Sequence, residues 1–321
     1  MKPVRPLLTI AAAAAGAGIY ASFAKSMAAA HRRLEGRSQV VASSFGDVEY
    51  AEMGEGEPVL VVHGASGGFD QGLDMTGALA ERGHRLIALS RFGYLRSDLP
   101  EAATVAKQAD AFAELLDALA VEKAVVVGIS AGAWSCLEFA VRHPDRCRAL
   151  ALLVPASALP PGTAIRGGVV AKAIFNSNFV AWTATKAWPI LPRALTGSML
   201  GTDAAVVAAA EPGEQARVRQ ILDHLLPISV RTRGMGFDVA TAVAPEPCAI
   251  EMIACPVLAI SAEDDAFGTA PRARFIAGAV TDGRTVIFPT GGHALVGRYA
   301  EALDTVAGFI AGLKASGGNR R

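Results

Sequence analysis

A serine stands where an apolar strand pattern changes into a helical pattern. Residues 124–127 are Ala-Val-Val-Val, the pentapeptide Gly-Ile-Ser-Ala-Gly follows at 128–132, and an amphipathic stretch begins at 134. In a strand-turn-helix context, G-x-S-x-G forms a strained turn that exposes a nucleophile, and its glycines leave room where strand and helix converge. The sequence therefore predicts Ser130 as a nucleophile and the backbone N–H of Ala131 as an oxyanion donor at the positive end of the helix.

A turn without function would use the same small residues, so a serine nucleophile also needs a base and an orienting acid. His293 follows Pro-Thr-Gly-Gly at 289–292, between a late strand pattern at 285–288 and a terminal helix pattern at 296–313. The two glycines would let this loop carry the imidazole inward. His293 is therefore the predicted base. Four other histidines stand beside charged or helix-surface positions, where structural or solvated roles are expected: His31, His84, His143 and His224.

The acid is expected on the loop after the preceding strand pattern, at 256–260. Two aspartates compete there, because Ser-Ala-Glu-Asp-Asp occupies 261–265. The usual strand length places Asp265 at the acid position, and Asp264 stays as the alternative. A solvated acidic loop without a catalytic role would have the same composition.

A second loop could supply the other oxyanion donor. The apolar run at 59–62 leads into His63 and then Gly-Ala-Ser-Gly-Gly at 64–68. Glycines allow a backbone N–H to approach a substrate oxygen closely, and that of Ala65 is the predicted donor. His63 is expected to be structural. The loop has neither the P-loop pattern nor a G-x-G-x-x-G pattern that opens a helix, which argues against phosphate binding.

Taken in order, H-G-x-x-G at 63–67, G-x-S-x-G at 128–132, Asp265 and G-G-H at 291–293 resemble the α/β-hydrolase superfamily over residues 38–314. The resemblance implies an α/β fold with a mostly parallel, eight-stranded type of sheet covered by helices, and an inserted helical cap over the nucleophile. It implies a Ser-His-Asp hydrolase of the carboxylesterase kind. A serine at the nucleophile position disfavours the members that use aspartate there.

Strand and helix patterns alternate along most of the chain, which favours a parallel sheet covered on both faces. A hairpin pattern at 39–51 precedes the alternation, and the alternation fails between 155 and 247. The predicted organisation is an N-terminal segment and connector at 1–37, the first part of the core at 38–158, a helical cap at 159–247 and the second part of the core at 248–321. The predicted strands are 58–63, 85–89, 123–127, 148–154, 256–261 and 284–288, and the predicted helices are near 73–82, 103–119, 131–143 and 270–280.

The amino end carries a nearly uncharged, Ala-rich run at 6–24 with basic residues on both sides. Its length just meets the roughly 20 residues that cross a bilayer. A basic start suits either a signal peptide or a signal anchor, and the length favours an uncleaved anchor. We therefore expect the protein to be exported or attached to a membrane through this run.

Composition excludes several classes of partner. The chain has 321 residues, 52% of them hydrophobic, and a net charge of zero. The sequence contains no basic patch with interleaved aromatic residues, so nucleic-acid binding is not predicted. No metal-ligand spacing occurs, so neither a metal nor another cofactor is expected. The 4 cysteines are expected to be apolar fillers, with a Cys248 to Cys255 disulfide as the alternative in an exported protein.

The cap is expected to form an apolar roof that selects a small, uncharged, hydrophobic acyl substrate. Arg231 and Arg233 could instead bind a carboxylate near the entrance, but solvation is the expected role of both. The apolar residues assigned to the roof, any of which could instead pack within the cap, are Trp182, Trp188, Phe175, Phe179, Met199, Met235 and Phe237.

Several reactions use the same constellation of residues. An ester is the expected substrate bond, while acyl transfer, thioester hydrolysis and carbon–carbon bond hydrolysis stay open. A ligand-binding receptor on the hydrolase fold is the alternative outside enzymes. The sequence makes no prediction of the oligomeric state.

Overall fold

The computed structural model describes residues 5–157, 177–188, 190, 196–197 and 199–317. Eight strands form one mixed sheet with the spatial order β1-β2-β4-β3-β5-β6-β7-β8. The first two strands pair antiparallel, β2 is also antiparallel to β4, and every later pairing is parallel. The strands are β1 (Gln39–Ser43), β2 (Gly46–Met53), β3 (Glu57–Val62), β4 (His84–Leu89), β5 (Ala124–Ile129), β6 (Cys147–Leu153), β7 (Val257–Ala262) and β8 (Gly283–Phe288).

Helices connect the parallel strands and cover both faces of the sheet, which confirms the predicted fold class. The helix predicted near 73–82 begins earlier, at Phe69, and continues as a 3₁₀ turn from Gly77 to Arg82. The terminal helix begins at Tyr299 rather than near 296. The helices are α1 (Arg5–Leu34), α2 (Phe69–Thr76), α3 (Val105–Ala118), α4 (Ala133–Arg142), α5 (Asn178–Ala187), α6 (Ala204–Ala209), α7 (Pro212–His224), α8 (Thr232–Val243), α9 (Thr269–Ala279) and α10 (Tyr299–Gly317).

The central strand β5 is buried at every position. Its alternate side chains enter two separate cores, because neighbouring residues of a strand point to opposite faces. Val126 packs with Phe112 of α3 and Phe139 of α4, whereas Val125 packs with Val306 and Phe309 of α10. A strand that is apolar on both faces is typical of a parallel sheet covered by helices. This buried strand is the rigid support that ends at Ser130.

The insertion between β6 and β7 is helical in its described part. It contains α5 to α8 and no sheet strand among the residues that the structure describes there. Two backbone hydrogen bonds attach it to the loop after β4, from Leu95 N–H to Val230 O at 2.7 Å and from Gly234 N–H to Gly93 O at 2.9 Å. The start of the predicted cap, at 159, lies outside the described residues. The domain boundaries stay a prediction.

The N-terminal helix α1 is exposed along residues 13–22 and then packs on the insertion. Phe23 contacts Trp182 of α5 edge to face, with ring centroids 5.7 Å apart. Trp182 Nε1 donates a hydrogen bond to Ser26 Oγ at 3.0 Å. Of the helices in the described residues, none combines the length and the apolar character that crossing a bilayer requires. Membrane attachment or export stays a prediction.

Candidate active site

The turn that carries Ser130 has the geometry expected of an exposed nucleophile. Ser130 follows β5 directly and has a φ of 49°, in the left-handed region that side chains rarely occupy. A Cβ on Gly128 would lie 2.7 Å from Cys136 Sγ, and one on Gly132 would lie 2.5 Å from the carbonyl oxygen of His63. Glycine is therefore required on both sides of Ser130, because strand, helix and the loop after β3 all converge there.

Three of the predicted residues meet in one hydrogen-bonded chain. His293 Nε2 lies 2.9 Å from Ser130 Oγ, and His293 Nδ1 lies 2.8 Å from Asp265 Oδ2. Asp265 follows β7 and His293 follows β8, so three parallel strands bring them to the same edge of the sheet. A carboxylate only accepts, which places the ring proton on Nδ1 and leaves Nε2 to accept from the serine hydroxyl. This arrangement can remove the serine proton.

The Asp265 carboxylate is enclosed and has further donors. It is only 6% exposed, and the Phe267 N–H donates to its Oδ1 at 2.8 Å. The Thr269 hydroxyl donates to Oδ2, beside the histidine. Ser261 Oγ lies 2.6 Å from Thr269 Oγ1 and completes a buried row of hydroxyls. These contacts fix the carboxylate in the orientation that the histidine needs.

Asp264 binds the backbone of the histidine loop and does not touch the ring. Its Oδ1 accepts from the N–H of Gly292 at 2.8 Å, and its Oδ2 accepts from the Thr290 hydroxyl at 2.6 Å and from the Gly291 N–H at 3.2 Å. Burial alone would raise the pKa of Asp264, but these donors outweigh it and lower that pKa. The structure thus places Asp265, the preferred of the two aspartates, beside the imidazole.

The Gly-rich loop after β3 lies against the nucleophile turn, as the contact of Gly132 with His63 shows. The Gly64 N–H is already used, because it donates to Gln71 Oε1 at 2.8 Å. Ala65 is the next residue and is exposed. The amides of Ala65 and Ala131 therefore belong to two loops that meet at Ser130, where the oxyanion donors were expected.

His63 is structural, as expected. Its Nε2 accepts from the Arg91 N–H at 2.9 Å, and its Nδ1 donates to Gly64 O at 2.6 Å. Complete burial, together with the charge of Arg91, lowers the pKa of His63 well below its usual value. The neutral ring holds the loop after β3 to the loop after β4.

Arg91 is a buried cation that sequence reasoning missed. Its guanidinium donates to Gly64 O at 3.1 Å and forms a two-point ion pair with Asp238 of α8. Asp238 also accepts from the hydroxyl of Tyr94 at 2.5 Å. Arg91 and Asp238 are 147 residues apart in the chain, so no local sequence signal identified the pair.

The expectation that Arg231 is solvated is wrong. Its side chain is fully buried, pairs with Asp70 Oδ2 at 2.7 Å and donates to Gly67 O at 2.5 Å. Arg233, by contrast, is exposed. The two-residue spacing does separate them, but it turns Arg231 toward the Gly-rich loop. Its charge is therefore used by Asp70 and is not free for a substrate carboxylate.

A short cap segment joins the loop that carries Asp265 to the loop that carries His293. The carbonyl of Gly201 accepts from Ala266 N–H at 3.0 Å and from His293 N–H at 3.2 Å. Beside it, Thr202 Oγ1 accepts from the Ala294 N–H at 3.1 Å. Gly201 has a φ of +55°, and a Cβ there would lie 2.7 Å from the Phe267 ring and 3.0 Å from His293 Cβ. No motif marks this segment, which sequence reasoning also missed.

Most of the residues assigned to the apolar roof make internal contacts. Trp182 and Phe179 pack on Phe23, Trp188 donates to Thr196, and Phe237 packs on Phe92. Met199 packs on two apolar clusters that join the cap to α1 and to the residues after His293.

Two apolar side chains lie beside the catalytic loops. Met235 accepts a hydrogen bond from the Ser66 hydroxyl, and its sulfur lies 3.5 Å from that oxygen. The Phe267 ring stands edge-on to the His293 ring, with centroids 4.8 Å apart. Phe267 was not predicted, although it stands two residues after the predicted acid. Phe175 lies outside the described residues.

The described residues contain no group of three side chains that could hold a metal ion.

The chain is similar to several known hydrolases. The chain is 34% identical over 119 residues to the uncharacterized hydrolase YcgS of Bacillus subtilis, a match that covers 37% of this chain and 42% of that protein. It is 27% identical over 242 residues to a putative carbamate hydrolase, RutD, of Pseudomonas savastanoi, covering 74% and 87% of the two chains. An α/β hydrolase fold protein from Nakamurella multipartita superposes with a TM-score of 0.67 at 25% identity, over 84% of this chain and 97% of that one.

The chain spans only 40 to 42% of the length of the first three curated relatives. The family match is longer, because residues 57–297 fit the α/β hydrolase fold family. That range begins with β3, ends after the histidine loop and so includes every strand and loop that builds the site. The chain therefore belongs to the α/β-hydrolase fold family.

Proposed function

We propose that the protein is a cofactor-independent serine hydrolase that cleaves a carboxylic ester of a small hydrophobic substrate through an acyl-enzyme. The observation that carries the proposal is the continuous chain from Asp265 through His293 to Ser130, with contacts of 2.8 and 2.9 Å. The strained backbone at Ser130 supports it, because such strain is typical of functional turns.

Each residue has one role in the reaction. Ser130 Oγ attacks the ester carbonyl carbon while His293 Nε2 takes the hydroxyl proton. Asp265 keeps the ring proton on Nδ1 and stabilises the imidazolium. The amides of Ala65 and Ala131 donate to the carbonyl oxygen as it becomes an oxyanion. His293 then protonates the departing alcohol, and a water molecule activated by the same nitrogen cleaves the acyl-enzyme.

The charges around the Gly-rich loop support a preference for uncharged substrates. The two arginines that contact this loop, Arg91 and Arg231, are paired with Asp238 and Asp70. A paired and buried guanidinium has little attraction left for an anionic substrate. The aromatic edge of Phe267 beside His293 supplies an apolar wall. Both features favour an apolar acyl or alcohol group.

The test uses purified protein and p-nitrophenyl esters with acyl chains of increasing length. We expect kcat/KM to rise by up to about tenfold for each added methylene until the pocket is full. A flat profile, or a preference for anionic esters, would contradict the proposed substrate class. Carbamates, thioesters and amides in the same panel would reveal a different acyl bond, and one relative is a putative carbamate hydrolase.

Labelling with a fluorophosphonate separates an enzyme from a receptor on the same fold. We expect Ser130 to be labelled, and the label to be lost in Ser130→Ala. A wild-type protein that neither labels nor turns over any acyl substrate would contradict the proposed function. Acyl transfer would appear as a product formed with an added alcohol at the expense of hydrolysis.

A further inference from the structure

Asp70 lies between two arginines that come from distant parts of the chain. It is the second residue of α2, directly after the Gly-rich loop, and is 2% exposed. Arg231 approaches it from the cap, with Nη2 2.7 Å from Oδ2 and Nη1 3.1 Å from Oδ1. Arg33, in the last turn of α1, approaches from the other side, with Nη1 2.5 Å from Oδ2.

The same arginines bind backbone on both sides of Asp70. Arg231 Nη1 donates to Gly67 O, within the Gly-rich loop. Arg33 Nη2 donates to Leu226 O at 2.6 Å and to His224 O at 3.2 Å, at the end of α7. The end of α1, the start of α2 and the segment before α8 thus form one hydrogen-bonded unit around a single carboxylate.

We propose that Arg33 is a positioning residue, through which the N-terminal helix holds the oxyanion loop in its catalytic geometry. The inference rests on the proposed function, because it assigns the loop at 64–68 an oxyanion role. It makes the end of α1 a part of the catalytic apparatus, although that helix lies outside the residues that match the family, 57–297.

The physical reason lies in the composition of the loop. Gly-Ala-Ser-Gly-Gly has few side chains with which to hold its own shape. An oxyanion donor lowers the barrier only when it is already oriented before the reaction. The loop must therefore be held from outside, by His63, Arg91 and Gln71 at its start and by Arg231 at its end. Asp70 fixes the position of Arg231. Asp70 is itself held by Arg33 and Arg231.

The carboxylate stays charged at neutral pH. Burial alone would raise the pKa of Asp70, but the two guanidinium groups outweigh burial and hold that pKa well below its usual range. Replacing Arg33 leaves the Asp70–Arg231 pair in place, so the Asp70 carboxylate loses one of its two arginine partners. We expect the Arg33 variant to fold, and we expect its Gly-rich loop to occupy a wider range of positions than in wild type.

The experiment compares Arg33→Gln with Arg32→Gln, which removes the same charge from an exposed position one residue earlier. Active sites are first counted by fluorophosphonate titration, so that kcat refers only to folded, reactive protein. For Arg33→Gln we expect kcat per titrated site to fall about ten- to hundredfold, with KM unchanged within about twofold. Arg32→Gln should match wild type within about twofold in both constants.

A second readout follows the oxyanion directly. An alkyl trifluoromethyl ketone forms a tetrahedral adduct with the serine, and its Ki should rise in Arg33→Gln by the same factor by which kcat falls. A role limited to stability would lower the titre of active sites and the melting temperature without changing kcat per site or Ki. That outcome would overturn the inference.

Arg33→Lys keeps the charge but offers one nitrogen where arginine uses two. We expect it to fold and to show a kcat between those of wild type and Arg33→Gln. If Arg33→Gln does not fold, Arg33→Lys decides, because a kcat per site equal to wild type would overturn the inference. Failure of the proposed function looks different, since wild-type protein would then neither label nor hydrolyse any ester.

Discussion

Asp264 and Asp265 are consecutive residues whose carboxylates bind the same histidine loop at two different places. Asp265 accepts a hydrogen bond from the imidazole Nδ1–H of His293, while Asp264 accepts hydrogen bonds from the backbone N–H groups of Gly291 and Gly292. One residue therefore orients the ring and the other shapes the loop that delivers it. A substitution at each position should separate these two effects.

Asp265→Asn should lower kcat about ten-thousandfold, because an amide beside Nδ1 favours the wrong tautomer. Asp264→Asn should be far milder in activity, because one amide oxygen can still accept from the loop. It should lower the free energy of unfolding by about 1–2 kcal/mol, since hydrogen bonds to a charged acceptor are lost. Steady-state kinetics and urea unfolding of the two purified variants measure both effects. The opposite ranking in kcat would make Asp264 the catalytic acid.

Ser130→Ala should remove turnover by about a millionfold, as expected when a catalytic triad acts as one unit. The change keeps the Cβ and therefore the strained φ of 49°, and it deletes no buried packing, so the melting temperature should stay close to that of wild type. Ester hydrolysis and thermal unfolding check the two parts. Substantial turnover that survives in the variant would remove Ser130 from the mechanism.

Gly201→Ala should impair both catalytic loops. Its φ of +55° is unfavourable for alanine, and the added Cβ would press on the Phe267 ring and on His293. We expect a loss of about 1–3 kcal/mol in the free energy of unfolding, together with a lower kcat. Gly197→Ala is the matched control, because a Cβ there would meet no atom of the described residues within 4 Å. Equal behaviour of the two variants would show that the Gly201 carbonyl does not position His293.

His63 should make the protein less stable in acid. Burial and the charge of Arg91 lower its pKa well below the usual value of 6.5. At a pH below 6.5, the imidazole binds a proton in the unfolded chain but not in the folded chain. The free energy of unfolding therefore decreases as the pH decreases. The slope from this group is at most about 1.4 kcal/mol per pH unit. Urea unfolding at several pH values should show a smaller slope for His63→Gln than for wild type.

Cys147 and Cys255 should form a disulfide when a small-molecule disulfide is added. Their sulfur atoms lie 3.6 Å apart, and the hydrogen bond between the two side chains lowers the pKa of the Cys255 thiol. The Cys255 thiolate would displace one thiol from oxidised glutathione, and Cys147 would then displace the second. Peptide mapping should find the Cys147–Cys255 link, also in Cys248→Ser. A Cys248–Cys255 link, the pairing considered from sequence, would contradict this prediction.

The sequence predicted the sheet and the three residues of the hydrogen-bonded chain because their signals are local. Each of Ser130, Asp265 and His293 lies on the turn or loop after an apolar strand pattern, and parallel strands bring their carboxyl ends to one edge of the sheet. Glycines at fixed positions beside Ser130 and His293 made the loops recognisable. Such signals occupy a few consecutive residues and need no knowledge of distant contacts.

The supports of the site were not predictable in the same way. Arg231 and Asp70 are separated by 161 residues, and a buried ion pair has the same composition as two solvated charges. The roof assignments could not be decided from sequence for a similar reason, since an aromatic residue such as Trp182 packs equally well on a substrate or on α1. Only the folded arrangement decides which neighbour such a side chain has.

The carbonyl of Gly201 has a consequence for protein engineering. Caps of this kind are attractive units to exchange when a new specificity is wanted, because the catalytic residues all lie in the core. Here the exchange would also remove a hydrogen-bond acceptor shared by Ala266 and His293. A chimaera should therefore retain residues 200–202 from this chain and place its junctions on either side of them. Libraries that randomise the whole insertion would be expected to lose most active clones at position 201, because a side chain there would press on Phe267 and His293.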